Sequence, residues 1–133
     1  MFTLSFDRTH RVLMARINGI FSSPDMAELD GAVIHFLSLQ PDSAGVSGIY
    51  DFSHVQAFAV PASKFAERGF QPPIVRGRRV LVAPAYAGES FGSSFRNLQR
   101  GAGNSAFTVV PTLQAAYALL DLTDPNFEPV EHT

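Results

Sequence analysis

The stretch Gly45–Phe58 constrains the fold more than any other part of this chain. Its first half, Gly45 to Phe52, carries Val46, Ile49, Tyr50 and Phe52 and reads as a strand. It delivers the chain to Asp51 and Ser53, and shortly afterwards to Val60-Pro61, where a proline stands as it does in the first turn of a helix. A strand that runs into a helix is half of a crossover unit, and crossovers build parallel sheets. In such domains ligands and partners gather where strands hand the chain to the following turn. Residues 51 to 62 are therefore the first place to look for function.

The elements before this stretch support a mixed sheet. Phe2, Leu4 and Phe6 alternate with Thr3, Ser5 and Asp7, the period of a half-buried strand. Arg8-Thr9-His10 interrupts the pattern and Val12–Ile17 resumes it, which predicts a hairpin, with Asn18-Gly19 as a turn out of the second strand. Ser23-Pro24-Asp25 predicts a helix start: Ser23 caps free amides, Pro24 needs no donor there, and Asp25 suits the positive end of the dipole. Met26, Leu29, Val33, Phe36 and Leu37 recur at spacings of three and four and give that helix one apolar stripe. Gln40-Pro41 ends it. Gly31, in its middle, costs about 1 kcal/mol relative to alanine and suggests a close approach to the sheet.

The elements after it repeat strand and helix. A second helix is expected over 61–69, with Ala62, Phe65 and Ala66 on one face, broken by Phe70-Gln71-Pro72-Pro73. Arg79-Val80-Leu81-Val82-Ala83 has the continuous apolar character of a central parallel strand. Phe91, Phe95 and Leu98 mark a third helix ended by Gly101-Ala102-Gly103, and Ala106–Val110 a fifth strand. Pro111-Thr112 opens a last helix with Leu113, Ala116, Tyr117 and Leu120 on one side. The expectation is a single α/β domain over residues 1–122, with a mixed sheet of about five strands and about four helices. Residues 123–133 read as a loose C-terminal tail.

At this point the order of elements resembles the STAS domain, the fold of bacterial anti-sigma-factor antagonists, and more closely its SpoIIAA-like (STAS/Sec14-like) relatives. The residues that carry the resemblance are Ile49-Tyr50-Asp51-Phe52-Ser53-His54-Val55-Gln56-Ala57-Phe58, similar to that family's Asp-Phe-Ser-x-Val-x-x-Phe strand end. Arg79–Pro84, Phe107–Val110 and the Ala115–Leu120 helix add to it. The resemblance implies a small bacterial regulatory domain that binds a protein, or, by its Sec14-like side, a lipid or other small apolar ligand, with no chemistry of its own. Antagonists of the family present a kinase with an Asp-Ser-Ser-Gly-like step at the next helix start. This chain has Val60-Pro61-Ala62-Ser63 there, so no phosphoserine switch is expected.

Composition removes several classes. The chain has 133 residues, 46% hydrophobic and 17% charged, which suits one globular domain. Its net charge of −2 gives no overall field toward nucleic acid or an anionic surface. The absence of cysteine excludes disulfides and thiolate chemistry and suits a reducing compartment. No apolar run approaches the ~20 residues of a membrane span, and charged residues interrupt the N-terminus too early for a signal peptide. The cytoplasm is the expected location.

The sequences that imitate catalytic motifs fail on context. Gly88-Glu89-Ser90-Phe91-Gly92 has the nucleophile-elbow pattern, but Pro84–Ala87 separates it from the strand that the elbow needs. Gly101–Ala106 has the dinucleotide pattern, but it follows a helix and opens a strand, the reverse of the required order. His10, His35, His54 and His132 have no metal-ligand spacing. His54, beside Ser53 and three residues after Asp51, could act as an oriented base, though Asp and Ser side chains more often stabilise a local turn. Lys64, Arg68, Arg76, Arg78 and Arg79 make a basic patch suited to phosphate or an acidic partner, and Phe52, Phe58, Phe65 and Phe70 surround a potential apolar pocket. No catalytic residue, metal or cofactor is expected. The expected binding site is Asp51, Ser53, His54, Phe58, Val60 and Ser63; the partner's identity and the choice between monomer and homodimer stay open.

Overall fold

The computed structural model describes residues 1–61, 63–64, 67, 73–83, 100 and 107–131. The chain opens with β1 (Phe2–Asp7) and β2 (Val12–Ser22), an antiparallel hairpin running from Phe2↔Ile17 to Asp7↔Val12. Helix α1 (Ser23–Ser38) follows without a loop. After a 3-10 turn at Ser43–Gly45 come β3 (Ser47–Ala59), β4 (Arg79–Val82), β5 (Thr108–Val110), α2 (Leu113–Leu119) and β6 (Glu128–Val130). They form one six-stranded mixed sheet in the order β5-β4-β3-β2-β1-β6. β2, β3, β4 and β5 pair in parallel, while β1 runs against both β2 and β6.

The sheet buries both faces, which is what parallel strands require. On one side α1 lays Leu29, Val33 and Phe36 over Phe2, Leu4, Phe6, Leu13, Ala15 and Ile17. On the other, α2 covers Val12, Met14, Ile49, Val80, Val82 and Val110 with Ala116 at its centre. Alternation along β2 divides its residues between these two layers. The expected stripes on both helices are the ones buried, with Met26, Leu37, Leu113, Tyr117 and Leu120 at their margins.

The α/β class, the opening hairpin and the parallel succession match the sequence reading. The counts differ. Six strands replace about five, because Glu128–Val130 adds to β1 where a loose tail was expected. Asp7 explains that docking: its buried carboxylate accepts from the His10 backbone N–H and the Asn126 backbone N–H, at 2.9 and 3.0 Å, and contacts His10 Nδ1 at 2.9 Å. Burial pushes the Asp7 carboxyl up, but the hydrogen bonds from His10 and Asn126 outweigh it and hold it below its ordinary value. Two α-helices are found among the described residues where about four were expected. The other two fall on 61–69 and 91–100, most of which lie outside the described residues; Ser63, Lys64, Glu67 and Arg100 are helical.

Two local readings are corrected. The cap of α1 is Ser22, not Ser23: the Asp25 N–H donates to Ser22 Oγ at 3.4 Å and the Ser22 N–H returns to Asp25 Oδ2 at 2.9 Å, a reciprocal capping box. The Ser22 hydroxyl and amide lower the Asp25 pKa from its ordinary value. Gly31 faces solvent, and a Cβ built there would meet nothing within 4 Å, so no close approach requires it. The residue that does serve close approach is Gly77, where a Cβ would stand 2.4 Å from the Val46 carbonyl oxygen. Gly31→Ala should therefore stabilise the protein by up to about 1 kcal/mol through better helix propensity. Chemical denaturation checks this, and a destabilised variant would contradict the open environment of Gly31.

Candidate functional site

The stretch from Asp51 to Ala59 is not a turn. It is the second half of β3, which extends well past β4 and stays paired with β2 as far as Ser22↔Ala59. Asn18-Gly19, expected to turn the chain, instead lies within β2. The pairing has two irregularities, between Arg16 and Asn18 and between Gly19 and Ile20, and each inserts one extra residue into β3. Gly19, at φ 73°, takes up the left-handed backbone of the second. The insertions change the spacing of inward residues from two to three. Phe52, Val55 and Phe58 thus all reach the α1 side of the sheet.

This division separates the expected site residues. Phe58 and Val60 pack in the α1-side layer, with the Phe58 ring 6.2 Å from Phe21 and 5.8 Å from Phe52, centroid to centroid. Phe21 and Phe52 meet edge to face at 5.3 Å. Phe65 and Phe70, the other half of the expected apolar pocket, lie outside the described residues. Asp51 shares the opposite face with Ile49 and Val12. Ser63, helical and exposed, makes no hydrogen bond with either group among the described residues and comes after Pro61 in the chain. The structure brings together Asp51, Ser53 and His54, and adds Arg16 and Tyr117, which the sequence reading did not select.

Asp51 is the centre of this group. It is 1% exposed and sits opposite Arg16 on β2. At the first bulge the Ser53 N–H donates to Asp51 Oδ1 at 3.0 Å. The same oxygen accepts the Ser53 hydroxyl at 2.6 Å, while Oδ2 faces Arg16 Nε at 3.4 Å. The carboxylate thereby supplies acceptors that an interrupted ladder cannot. Tyr117 of α2, stacked on Phe127 at 6.0 Å, flanks the pair. Burial raises the Tyr117 pKa; the nearby Arg16 charge opposes that rise and Asp51 adds to it.

His54 completes the row, its Nδ1 3.2 Å from Ser53 Oγ. The order of these contacts decides what they can do. A serine nucleophile needs its proton directed at a histidine, with the carboxylate behind the ring. Here Ser53 gives its proton to Asp51, so the hydroxyl can only accept from the imidazole. The arrangement orders a strand and presents a histidine. It is not wired for acyl transfer.

The remaining candidates divide similarly. Of the basic patch, Arg76 and Arg78 are exposed, Lys64 pairs with Glu67 at 3.6 Å, and Arg79 is buried in β4 rather than on a loop. Arg68, Ser90 with its surrounding motif, Gly101–Ala106 and His132 lie outside the described residues. His35 is exposed on α1. Among the described residues no group of three or more His, Asp or Glu could hold a metal ion, and no helix is long and apolar enough to cross a membrane. Comparison with protein-family models and with curated proteins gave no match.

The geometry predicts an asymmetric pair. Asp51→Ala strips the Ser53 amide, the Ser53 hydroxyl and Arg16 of their acceptor and should cost about 1–3 kcal/mol. Arg16→Ala should cost less than about 1 kcal/mol, because its side chain is 52% exposed. Equilibrium denaturation of both variants checks this; equal losses would contradict it.

Proposed function

We propose that this chain is a non-enzymatic STAS-like domain that acts in the cytoplasm by binding a protein partner through the outer face of the β2–β3 extension. The observation that carries this reading is the exposure of one face of that extension. Asn18, Ile20, Ser53, His54, Gln56 and Ala57 are all exposed beyond the end of the layer that α2 covers, and Ile20 is 59% exposed. An isolated apolar side chain framed by Asn, His and Gln has the composition of a small recognition patch, an apolar anchor with a polar rim. The patch lies on paired strands, from Asn18↔His54 to Ser22↔Ala59, which lowers the ordering cost of association.

Several features support the STAS resemblance in this reading. The hairpin and the parallel succession of strands follow its order, and the Asp-Phe-Ser-His segment lies on a central strand at the carboxyl end of the sheet, where partners gather in α/β folds. The departure at Val60-Pro61-Ala62-Ser63 argues against a phosphoserine switch at that helix start. The apolar-ligand alternative gains less support, since Phe21, Phe52 and Phe58 already pack on one another.

The test is co-purification from the native host followed by mass spectrometry, comparing the natural chain with Ile20→Glu. The substitution touches an exposed position, so the melting temperature should stay within about 2 °C. Loss of a stoichiometric partner from the folded variant supports the reading. Retention of the same partner by Ile20→Glu removes this face from the interaction.

A further inference from the structure

A second feature lies at the opposite end of the parallel strands and is independent of the partner face. There the β1–β2 turn, the C-terminal end of α1 and β6 surround a cleft of about 360 Å³. This is within the range of roughly 300–1,000 Å³ typical of small-molecule pockets. Phe6 and Phe36, whose ring centroids are 4.9 Å apart, form its apolar wall. Arg8 and Arg11 enter from the turn, Gln40 from the segment after α1, and Glu128 from β6.

The two arginines differ in a way that suits ligand capture. Arg11, held at φ 56°, donates through Nη2 to the carbonyl oxygens of Pro41 and Asp42 at 2.6 and 3.1 Å. Those bonds hold its guanidinium in place and leave Nε and Nη1 available among the described residues. Arg8 is exposed and makes no hydrogen bond or ion pair among the described residues. Glu128 pairs with neither arginine. Among the described residues the cleft therefore holds two cations against one anion, beside two aromatic rings. A guanidinium fork matches the oxygens of a carboxylate or a phosphate.

We propose that this cleft binds a small organic anion, a carboxylate or phosphate monoester that carries one compact apolar group. The acid group meets Arg8 and Arg11, and the apolar group lies along Phe6 and Phe36. Glu128 repels a second negative charge at the β6 side and so favours ligands with a single acidic end. Arg11 is already oriented by the Pro41 and Asp42 carbonyls, so binding orders mainly Arg8.

The experiment is an amide-resolved NMR titration of the whole chain with benzoate, phenyl phosphate, inorganic phosphate and benzyl alcohol as probes. Saturable shifts confined to Phe6, Arg8, Phe36, Gln40 and Val130 are expected with benzoate or phenyl phosphate, whichever acid group the cleft prefers. Binding of that probe should be about tenfold tighter than that of inorganic phosphate, and benzyl alcohol should leave the spectrum unchanged. Arg8→Ala, at an exposed position without partners among the described residues, should keep the fold and weaken binding about tenfold, whereas Glu128→Gln should tighten it. The proposal is overturned by shifts shared equally with Arg76 and Arg78, by inorganic phosphate binding as tightly as either aromatic acid, or by affinity that Arg8→Ala leaves unchanged.

Discussion

The parallel pairing of β2 with β3 is the interaction on which the rest of the molecule depends. It is the longest pairing described in the sheet, from Val12↔Ser47 to Ser22↔Ala59, and β1, β4 and α1 adjoin it directly. Ser22 is both the last residue of β2 and the cap of α1, so the length of β2 sets where that helix starts and which stripe it presents to the sheet. β4 joins only the first part of β3, from Gly48↔Arg79 to Asp51↔Val82. Beyond Asp51 the two strands continue as a ribbon with an apolar side toward Phe21 and a polar side toward solvent. The exposed patch is a consequence of that overhang.

Such a ribbon has to solve a problem of backbone satisfaction. Each extra residue in β3 disrupts the ladder, and an unpaired N–H near the core costs free energy comparable to a lost hydrogen bond. At the first bulge Asp51 solves it, by accepting the Ser53 amide and hydroxyl while facing Arg16. A carboxylate buried to this degree would be costly alone. Here it is the acceptor that makes the irregular strand possible, which gives Asp51 a structural role and leaves Ser53 and His54 outside as the presented groups.

Much of this fold was legible in the sequence. The alternation of Phe2, Leu4 and Phe6, the Ser-Pro-Asp helix start and the apolar run Arg79–Val82 each carry a strong local signal, and each stands where it was expected except that the helix cap is one residue earlier, at Ser22. The second half of β3 was hidden for a physical reason. Two bulges place Phe52, Val55 and Phe58 at intervals of three, and a strand read by its period of two cannot be recognised in such spacing. Asn18-Gly19 misled in the same way, because the left-handed backbone that makes this pair a turn former also accommodates a bulge. β6 was missed because Glu128-Pro129-Val130 has little strand propensity; the Asp7 carboxylate that anchors Asn126 comes from the far end of the sequence. The candidate site was half legible: Asp51, Ser53 and His54 belong together, Phe58 and Val60 belong to the other face, and Arg16 becomes visible only through the cross-strand register.

The central claim is that residues 53–59 form a strand paired with β2 rather than a connecting turn. Residue-resolved amide hydrogen exchange in the intact protein tests it most directly. The account predicts slow exchange for amides within residues 54–59 and for their β2 counterparts between Asn18 and Ser22, at a level close to that of β3 residues 48–51. Exchange across 53–59 at rates typical of an open loop, with protection ending at Asp51, would contradict it.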